Sequence, residues 1–205
     1  MADGNTLTEG GTTGLQLVNI TAEGVIDENN TTLAYTIKHP LSFINNSIEP
    51  RDWYTDNEMN QNSTLWANDT KTHYDPCPQG WRIPPDGTWS DFTRTDNAEQ
   101  PLNGTFPFYI KGVAKENGGV KDFHQTNGSL YKATLGIGTP LSWYPVTGYR
   151  HSTSGTFYYV GSRGYYWSAS ISSTSSVAMS YNMSELFPNY MYRRACGFPV
   201  RCVQE

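Results

Sequence analysis

The run Tyr74-Asp75-Pro76-Cys77-Pro78-Gln79-Gly80-Trp81-Arg82-Ile83-Pro84-Pro85-Asp86 constrains the fold more than any other part of the chain. Four prolines and one glycine fix much of its backbone, and Trp81 and Ile83 supply apolar mass to bury. Asp86 can cap a short helix from Thr88 to about Arg94, with Trp89 and Phe92 on its inner face. It is the one helix that the pattern supports.

The rest of the chain favours strands. Asn, Ser and Thr make up 56 of the 205 residues, aromatic residues 14%, and charged residues only 16%. This is a β-favouring, loop-rich composition, in a chain long enough to bury a sizeable core. Apolar or alternating runs at Phe106–Ala114, Leu130–Leu135, Leu141–Gly148, Thr156–Val160, Tyr165–Ser170, Ser176–Met183 and Phe198–Val203 read as strands separated mostly by Gly-containing turns. Before them, Leu15–Ile20 and Leu33–Ile37 alternate on either side of the polar turn Asp27-Glu28-Asn29-Asn30 and read as a hairpin. Residues 45–75 are polar and aperiodic, pinned by Trp53, Trp66 and Tyr74, and residues 1–14 read as a flexible leader.

Charge and patterning exclude several classes. Residues 1–100 carry 15 acids and 5 bases, a net of −10; residues 101–205 carry 4 acids and 9 bases, a net of +5. Neither half has a dense Lys/Arg run, so no nucleic-acid partner is expected. No apolar run reaches the ~20 residues of a membrane helix, so no membrane insertion is expected. The start, MADGNTLTEGG, has neither the basic nor the apolar part of a secretory signal. The four histidines are scattered without metal-ligand spacing, and no nucleophile-elbow, zincin, P-loop or dinucleotide motif occurs. The expectation is no catalytic residues, no metal and no cofactor. A carbohydrate-active enzyme would need two acids facing each other across a cleft, and acids thin out after residue 100.

The three cysteines, Cys77, Cys196 and Cys202, allow one disulfide in any of three pairings, plus one odd thiol. A Cys77–Cys202 bridge would tie the expected helix to the closing strand and, by closing so long a loop, stabilise by roughly 4–5 kcal/mol. The alternative is buried thiols in a reducing compartment. Arg201, between Val200 and Cys202, is expected to make a structural ion pair or carbonyl contact, and Asp75 to form a turn.

Three motifs in order, "YDPCPQGWRIP", "GYYWSAS" and "RRACGFPVRCVQE", resemble the major paralogous domain of Fibrobacter and the Bacteroidetes, over about Trp53 to Glu205. The resemblance implies an α+β, mostly β fold: a C-type-lectin-like domain over 51–205 with one or two short helices, preceded by an N-terminal β appendage over 15–50. Members occur at bacterial surfaces, on fimbrial tips and on phage particles, and are not enzymes. Their first and last cysteines pair, which implies a Cys77–Cys202 disulfide here and a free thiol at Cys196. The Glu-Pro-Asn or Gln-Pro-Asp loop and the Trp-Asn-Asp strand of calcium-dependent lectins are missing: Phe187 precedes Pro188-Asn189. The reactive cysteine pair of the related formylglycine-generating enzymes is not expected either, because Cys202 would be locked to Cys77.

The C-terminus also resembles the variable proteins of diversity-generating retroelements, in which mutated adenines turn Asn codons into Ser, Tyr, Thr, Ala, Cys or Arg. Within a variable segment over 165–196, Ile171–Cys196 has that patchwork between the framework pieces GYYWSAS and GFPVRCV. The resemblance implies a ligand-binding surface made of Ile171, Ser173, Ser175, Ala178, Ser180, Asn182, Asn189, Tyr190, Tyr192, Arg194 and Cys196, helped by loops around Tyr149–Gly155. Tyr181, Tyr190 and Tyr192 would offer rigid contact area, as in antibody paratopes, while Trp81, Trp89 and Trp167 belong to the buried framework. The expected function is a non-enzymatic adhesin or receptor-binding protein taking an unknown protein or glycan ligand at a cell surface, located extracellularly, on a cell surface or on a virion. The rival reading is an assembly module of a fimbrial tip or phage tail, docking through residues 1–50.

Overall fold

A computed structural model of the chain describes residues 7–9, 11–89, 108–110, 128–132, 141–182 and 186–205. Strands dominate. They are β1 (Thr8–Glu9), β2 (Thr12–Thr13), β3 (Gln16–Asn19), β4 (Ser42–Asn45), β5 (Trp81–Arg82), β6 (Phe108–Ile110), β7 (Gly128–Lys132), β8 (Leu141–Pro145), β9 (Tyr149–Arg150), β10 (Phe157–Tyr158), β11 (Gly164–Ser172), β12 (Ser175–Tyr181), β13 (Leu186–Tyr192) and β14 (Val203–Gln204). Among the described residues the α-helical part is one short element, α1 (Leu33–Lys38).

The centre is the antiparallel sheet β11-β12-β13. Its first strand, GYYWSAS, is buried along both faces, as befits an unbroken apolar and small-residue run. Tyr165 and Trp167 point to one side, joining Ala178, Cys196 and Phe198. Tyr166 points to the other, joining Trp89, Tyr144, Val146, Met179 and Tyr181. Gly164 is required here, because a Cβ at that position would run into the ring of Tyr181. Beside this sheet, β6-β7-β8 form a second antiparallel sheet. Arg201 reaches the backbone carbonyl of Trp143 at 2.7 Å and covers the Tyr144 ring at 4.3 Å, the carbonyl contact expected of it.

The C-terminal segment is fastened to the Pro-rich turn. Cys77 and Cys202 form a disulfide, and β14 pairs antiparallel with β5. With Ile83 and Ala169 the bridge makes a small core of its own. Asp75 is the turn-former expected, accepting from the backbone N–H of Cys77 at 2.8 Å and of Ile83 at 2.9 Å.

The first fifty residues depart from the expected hairpin. Leu33–Lys38 is helical, and β3 pairs in parallel with β4, Leu17 opposite Phe43 and Val18 opposite Ile44. A parallel pair requires a crossover of a dozen or more residues, and the segment carrying α1 supplies it. The alternation Leu33, Tyr35, Ile37 imitated a strand. Ile20, Val25 and Ile44 bury this unit's interior with help from Tyr35 and Trp53. It is held to the C-terminal part by Asn46 N–H on the Ser152 carbonyl at 2.6 Å, Ala195 N–H on the Arg51 carbonyl at 2.9 Å, and Asn45 Nδ2 on the Thr153 carbonyl at 3.0 Å. Within the expected leader β1 and β2 pair antiparallel, and Glu9 contacts His39 Nδ1 at 2.7 Å and the Leu41 N–H at 2.9 Å.

Other corrections are local. Trp81, expected in the buried framework, is 45% exposed, whereas Trp89 and Trp167 are buried; a two-residue strand at the chain's closing end covers one face of Trp81 at most. Of the expected Phe198–Val203 strand, only Val203 enters a ladder, because Pro199 interrupts it. The expected helix over Thr88–Arg94 lies outside the described residues from 90 onward, and Thr88 and Trp89 lie in a turn. The parts of the Phe106–Ala114 and Leu130–Leu135 strands beyond β6 and β7 also lie outside them. β9 and β13 were not expected as strands.

Candidate functional site

The residues expected to contact ligand divide into three groups. Ile171, Ser173, Asn189 and Tyr190 are exposed, and Ser175, Asn182 and Tyr192 half-buried. Ala178, Ser180, Arg194 and Cys196 are buried. The buried members follow from strand geometry. On β12, Ala178 faces the Trp167 side of the sheet, and Ser180 lies beneath Tyr192, whose hydroxyl donates to it at 3.3 Å. Tyr181, expected as contact area, is instead part of the core, only 1% exposed, and its hydroxyl donates to the Tyr144 carbonyl.

The exposed members lead into a longer feature. Phe187 and Tyr190, on the edge strand β13, have ring centroids 5.2 Å apart, and Tyr190 lies 5.1 Å from Tyr192. Tyr192 meets Tyr165 at 5.6 Å, Tyr165 meets Tyr149 at 4.8 Å, and Tyr149 meets Tyr158 and Tyr159 at 5.9 and 6.2 Å. A continuous row of rings therefore joins β13 to the β9-β10 hairpin. Its ends are in solvent: Phe187, Tyr190, Tyr158 and Tyr159 are all at least one-third exposed, and next to them Val160 is 63% exposed. Its middle is anchored, and burial pushes the Tyr149 hydroxyl up to about 12.

The hairpin is held rigidly. Gly148 at its base has φ +62°, and a Cβ there would strike the backbone of Tyr158 and Val160, so only glycine lets the two strands approach this closely. Arg150 lies over the Phe157 ring at 4.0 Å and Arg163 over Tyr159 at 5.3 Å. Residue reading had named the loops around Tyr149–Gly155 but missed Phe157, Tyr158, Tyr159 and Phe187. The signal available was the unalternated run Phe157-Tyr158-Tyr159-Val160 between Gly155-Thr156 and Gly161. Exposed aromatic rings anchored on a packed aromatic core in this way are a usual mark of an interaction surface.

Below the sheet, on its Trp167 side, lies a cavity of about 510 Å³ whose walls include Phe43, Trp53, Trp66, Trp167 and Phe198, with Ile171, Arg194 and Cys196 from the expected contact set. Arg194 and Asp52 meet within it at 3.6 Å, both almost wholly buried. Burial pushes the Asp52 carboxyl up from its ordinary value, opposed by hydrogen bonds from the Tyr54 N–H and Gln61 and by the Arg194 charge. Among the described residues no three of His, Cys, Asp and Glu converge as a metal site would require, and no helix is long and apolar enough to cross a membrane.

The family model of the Fibrobacter succinogenes major domain matches residues 6–204. The chain belongs to that family. The match begins far ahead of Trp53, where the residue resemblance began, so the Fibrobacter succinogenes major domain takes in the β3-α1-β4 unit as well as the disulfide-closed part. No curated protein and no solved structure matches the chain.

Proposed function

We propose that the chain is a non-enzymatic ligand-binding module of the cell surface or of a virion, built on a C-type-lectin-like scaffold. Its contact surface is the aromatic row from Phe187 and Tyr190 to Tyr158 and Tyr159. That row carries the reading. Large rings stay exposed at both ends while their neighbours pack into the core, so the surface pays little entropy on binding. The disulfide and the buried β11 hold the scaffold while exposed side chains differ. The exposed positions Ile171, Ser173, Asn189 and Tyr190 are where retroelement-driven variation would change binding without touching the interior. A near-copy of the coding region for residues 165–203, differing mainly at adenines, would lie close by in the genome.

The experiment is a glycan array and a whole-cell binding assay with the full chain, repeated with the paired variant Tyr158→Ser, Tyr190→Ser. A ligand bound by the parent and lost at least tenfold in the variant, with unchanged melting, supports the reading. A ligand whose binding the variant leaves intact overturns the choice of surface.

One observation favours an assembly module instead. Among the described residues β3 pairs with β4 alone, and Leu15 and Leu17 beside its free edge are 40% and 48% exposed. An uncovered edge with apolar side chains invites another strand. Concentration-dependent assembly abolished by Leu17→Lys would favour that reading.

A further inference from the structure

The cavity beneath the central sheet is separate from the aromatic row, and its chemistry is specific. Three tryptophans, Trp53, Trp66 and Trp167, and Phe198 give it flat apolar walls. Its volume, about 510 Å³, falls in the range of small-molecule sites. One polar group stands out. The terminal nitrogens of the Arg194 guanidinium are satisfied: Nη2 donates to Ser63 Oγ and to the Ser173 carbonyl, both at 3.1 Å, and Nη1 donates to the Asn62 carbonyl at 3.4 Å and faces Asp52. Its Nε is buried without a hydrogen-bond partner, although the side chain is only 6% exposed. A buried donor left unmade is costly, and a native structure gives it a use or an acceptor.

We propose that this cavity binds an uncharged, ring-bearing small molecule whose ring packs among Trp53, Trp66 and Trp167 and whose oxygen accepts from Arg194 Nε. Neutrality follows from the charges present. Arg194 already faces the Asp52 carboxylate, so a charge on the ligand would be buried without a counter-ion. The ring follows from the walls, and the acceptor from the open donor. Ile171, 47% exposed and part of the wall, forms the rim through which the ligand enters.

The test uses four probes that share a ring: benzamide, benzoate, benzylamine and toluene. Each is titrated into the ¹⁵N-labelled full chain while the indole N–H signals are followed by NMR. Benzamide is expected to give saturable shifts at Trp53, Trp66 and Trp167, with at least tenfold weaker binding of benzoate and benzylamine and at least threefold weaker binding of toluene. Ile171→Trp, which narrows the rim, is expected to weaken benzamide at least tenfold with unchanged melting. Leu65→Trp, from another wall, serves if the first variant melts early. No saturable shift with any probe, charged probes binding as well as benzamide, or benzamide binding unaffected in a folded rim variant would each overturn the proposal. The aromatic-row variant leaves all these shifts in place, so failure here is distinct from failure of the proposed surface.

Discussion

Asp75 and Ile83 lie on opposite arms of the Pro-rich turn, and the Asp75 carboxylate accepts the Ile83 N–H at 2.9 Å. The same carboxylate takes the Cys77 N–H at 2.8 Å and an ion pair with Lys71 at 3.2 Å, with its own side chain only 5% exposed. Lys71 in turn donates to the carbonyls of Cys77 and Trp81. One aspartate thus sets the direction in which both Cys77 and β5 leave the turn. Asp75→Ala orphans two buried N–H groups and a lysine, and is expected to cost about 2–4 kcal/mol. Asp75→Asn keeps one acceptor oxygen and is expected to cost about half as much. Urea unfolding of the two variants beside the parent measures the difference.

The Cys77–Cys202 bridge spans 125 residues. Replacing both cysteines by serine is expected to lower unfolding stability by roughly 4–5 kcal/mol, because the open unfolded chain regains that loop's entropy. Cys196 is free and buried, so thiol counting with a coloured disulfide reagent should find almost none in the native chain. It should find one after unfolding and three after unfolding with reductant. Two fast-reacting thiols in the unreduced native chain would contradict the bridge.

How much of this was legible in the sequence depended on whether neighbours or distant partners decided each element. GYYWSAS was readable as a strand over Tyr165–Ser170, because a short aromatic and small-residue run beside a Gly-containing turn favours one; its burial on both faces comes from the structure. The Pro-rich turn and the role of Asp75 were equally readable, being local chemistry. Leu33–Lys38 was not, since six residues with period-two apolar spacing fit a strand as well as a helix, and the parallel β3-β4 pairing that decides between them is a distant contact. β13 was hidden by Pro188, tolerated because β13 is an edge strand. For the site, residue type identified Tyr190 and Tyr192 but could not separate Ala178 and Ser180 from Ser173 and Asn189. β12 is buried on both faces from Val177 to Tyr181 because it lies between β11 and β13, pairings that no local pattern shows. The aromatic row joins residues about forty positions apart, which no local pattern encodes.

Alkaline pH should unfold this protein early. Burial pushes the Cys196 thiol up from 9.0 to about 11, with hydrogen bonding to Ser152 opposing it, and pushes Tyr149 from 10.0 to about 12. Tyr165, Tyr166 and Tyr192 are raised in the same way. An acid whose folded pKa is raised gives up its proton first in the unfolded chain, so its contribution is fully present below about pH 9 and is lost as pH rises through 9–12. Urea midpoints are therefore expected to fall steadily from pH 9 to 11. Cys196→Ala should reduce that slope, and the part of the tyrosinate absorbance that comes from the buried rings should rise with unfolding. A flat midpoint across this range would contradict the burial of these groups.

Substitution across Ile171–Cys196 should separate surface from scaffold. Changes at Ile171, Ser173, Asn189 and Tyr190 alter solvent-facing side chains and are expected to stay within about 0.5 kcal/mol of the parent. Ser173 is the one to treat with care, because its φ of +52° favours Asn or Gly and disfavours β-branched residues. Ala178→Tyr forces a ring between Trp167 and Phe198 and is expected to cost about 3 kcal/mol or more through overpacking. Arg194→Ser strips the buried Asp52 of its counter-charge, at an expected cost of about 3–5 kcal/mol. A library varied at all eleven positions and sorted for folded display should therefore keep wide diversity at the four exposed positions and return to the parent residue at Ala178 and Arg194. Equal diversity at both sets would mean that β12 and the Arg194 turn are not packed as described, and that the binding surface extends under the sheet.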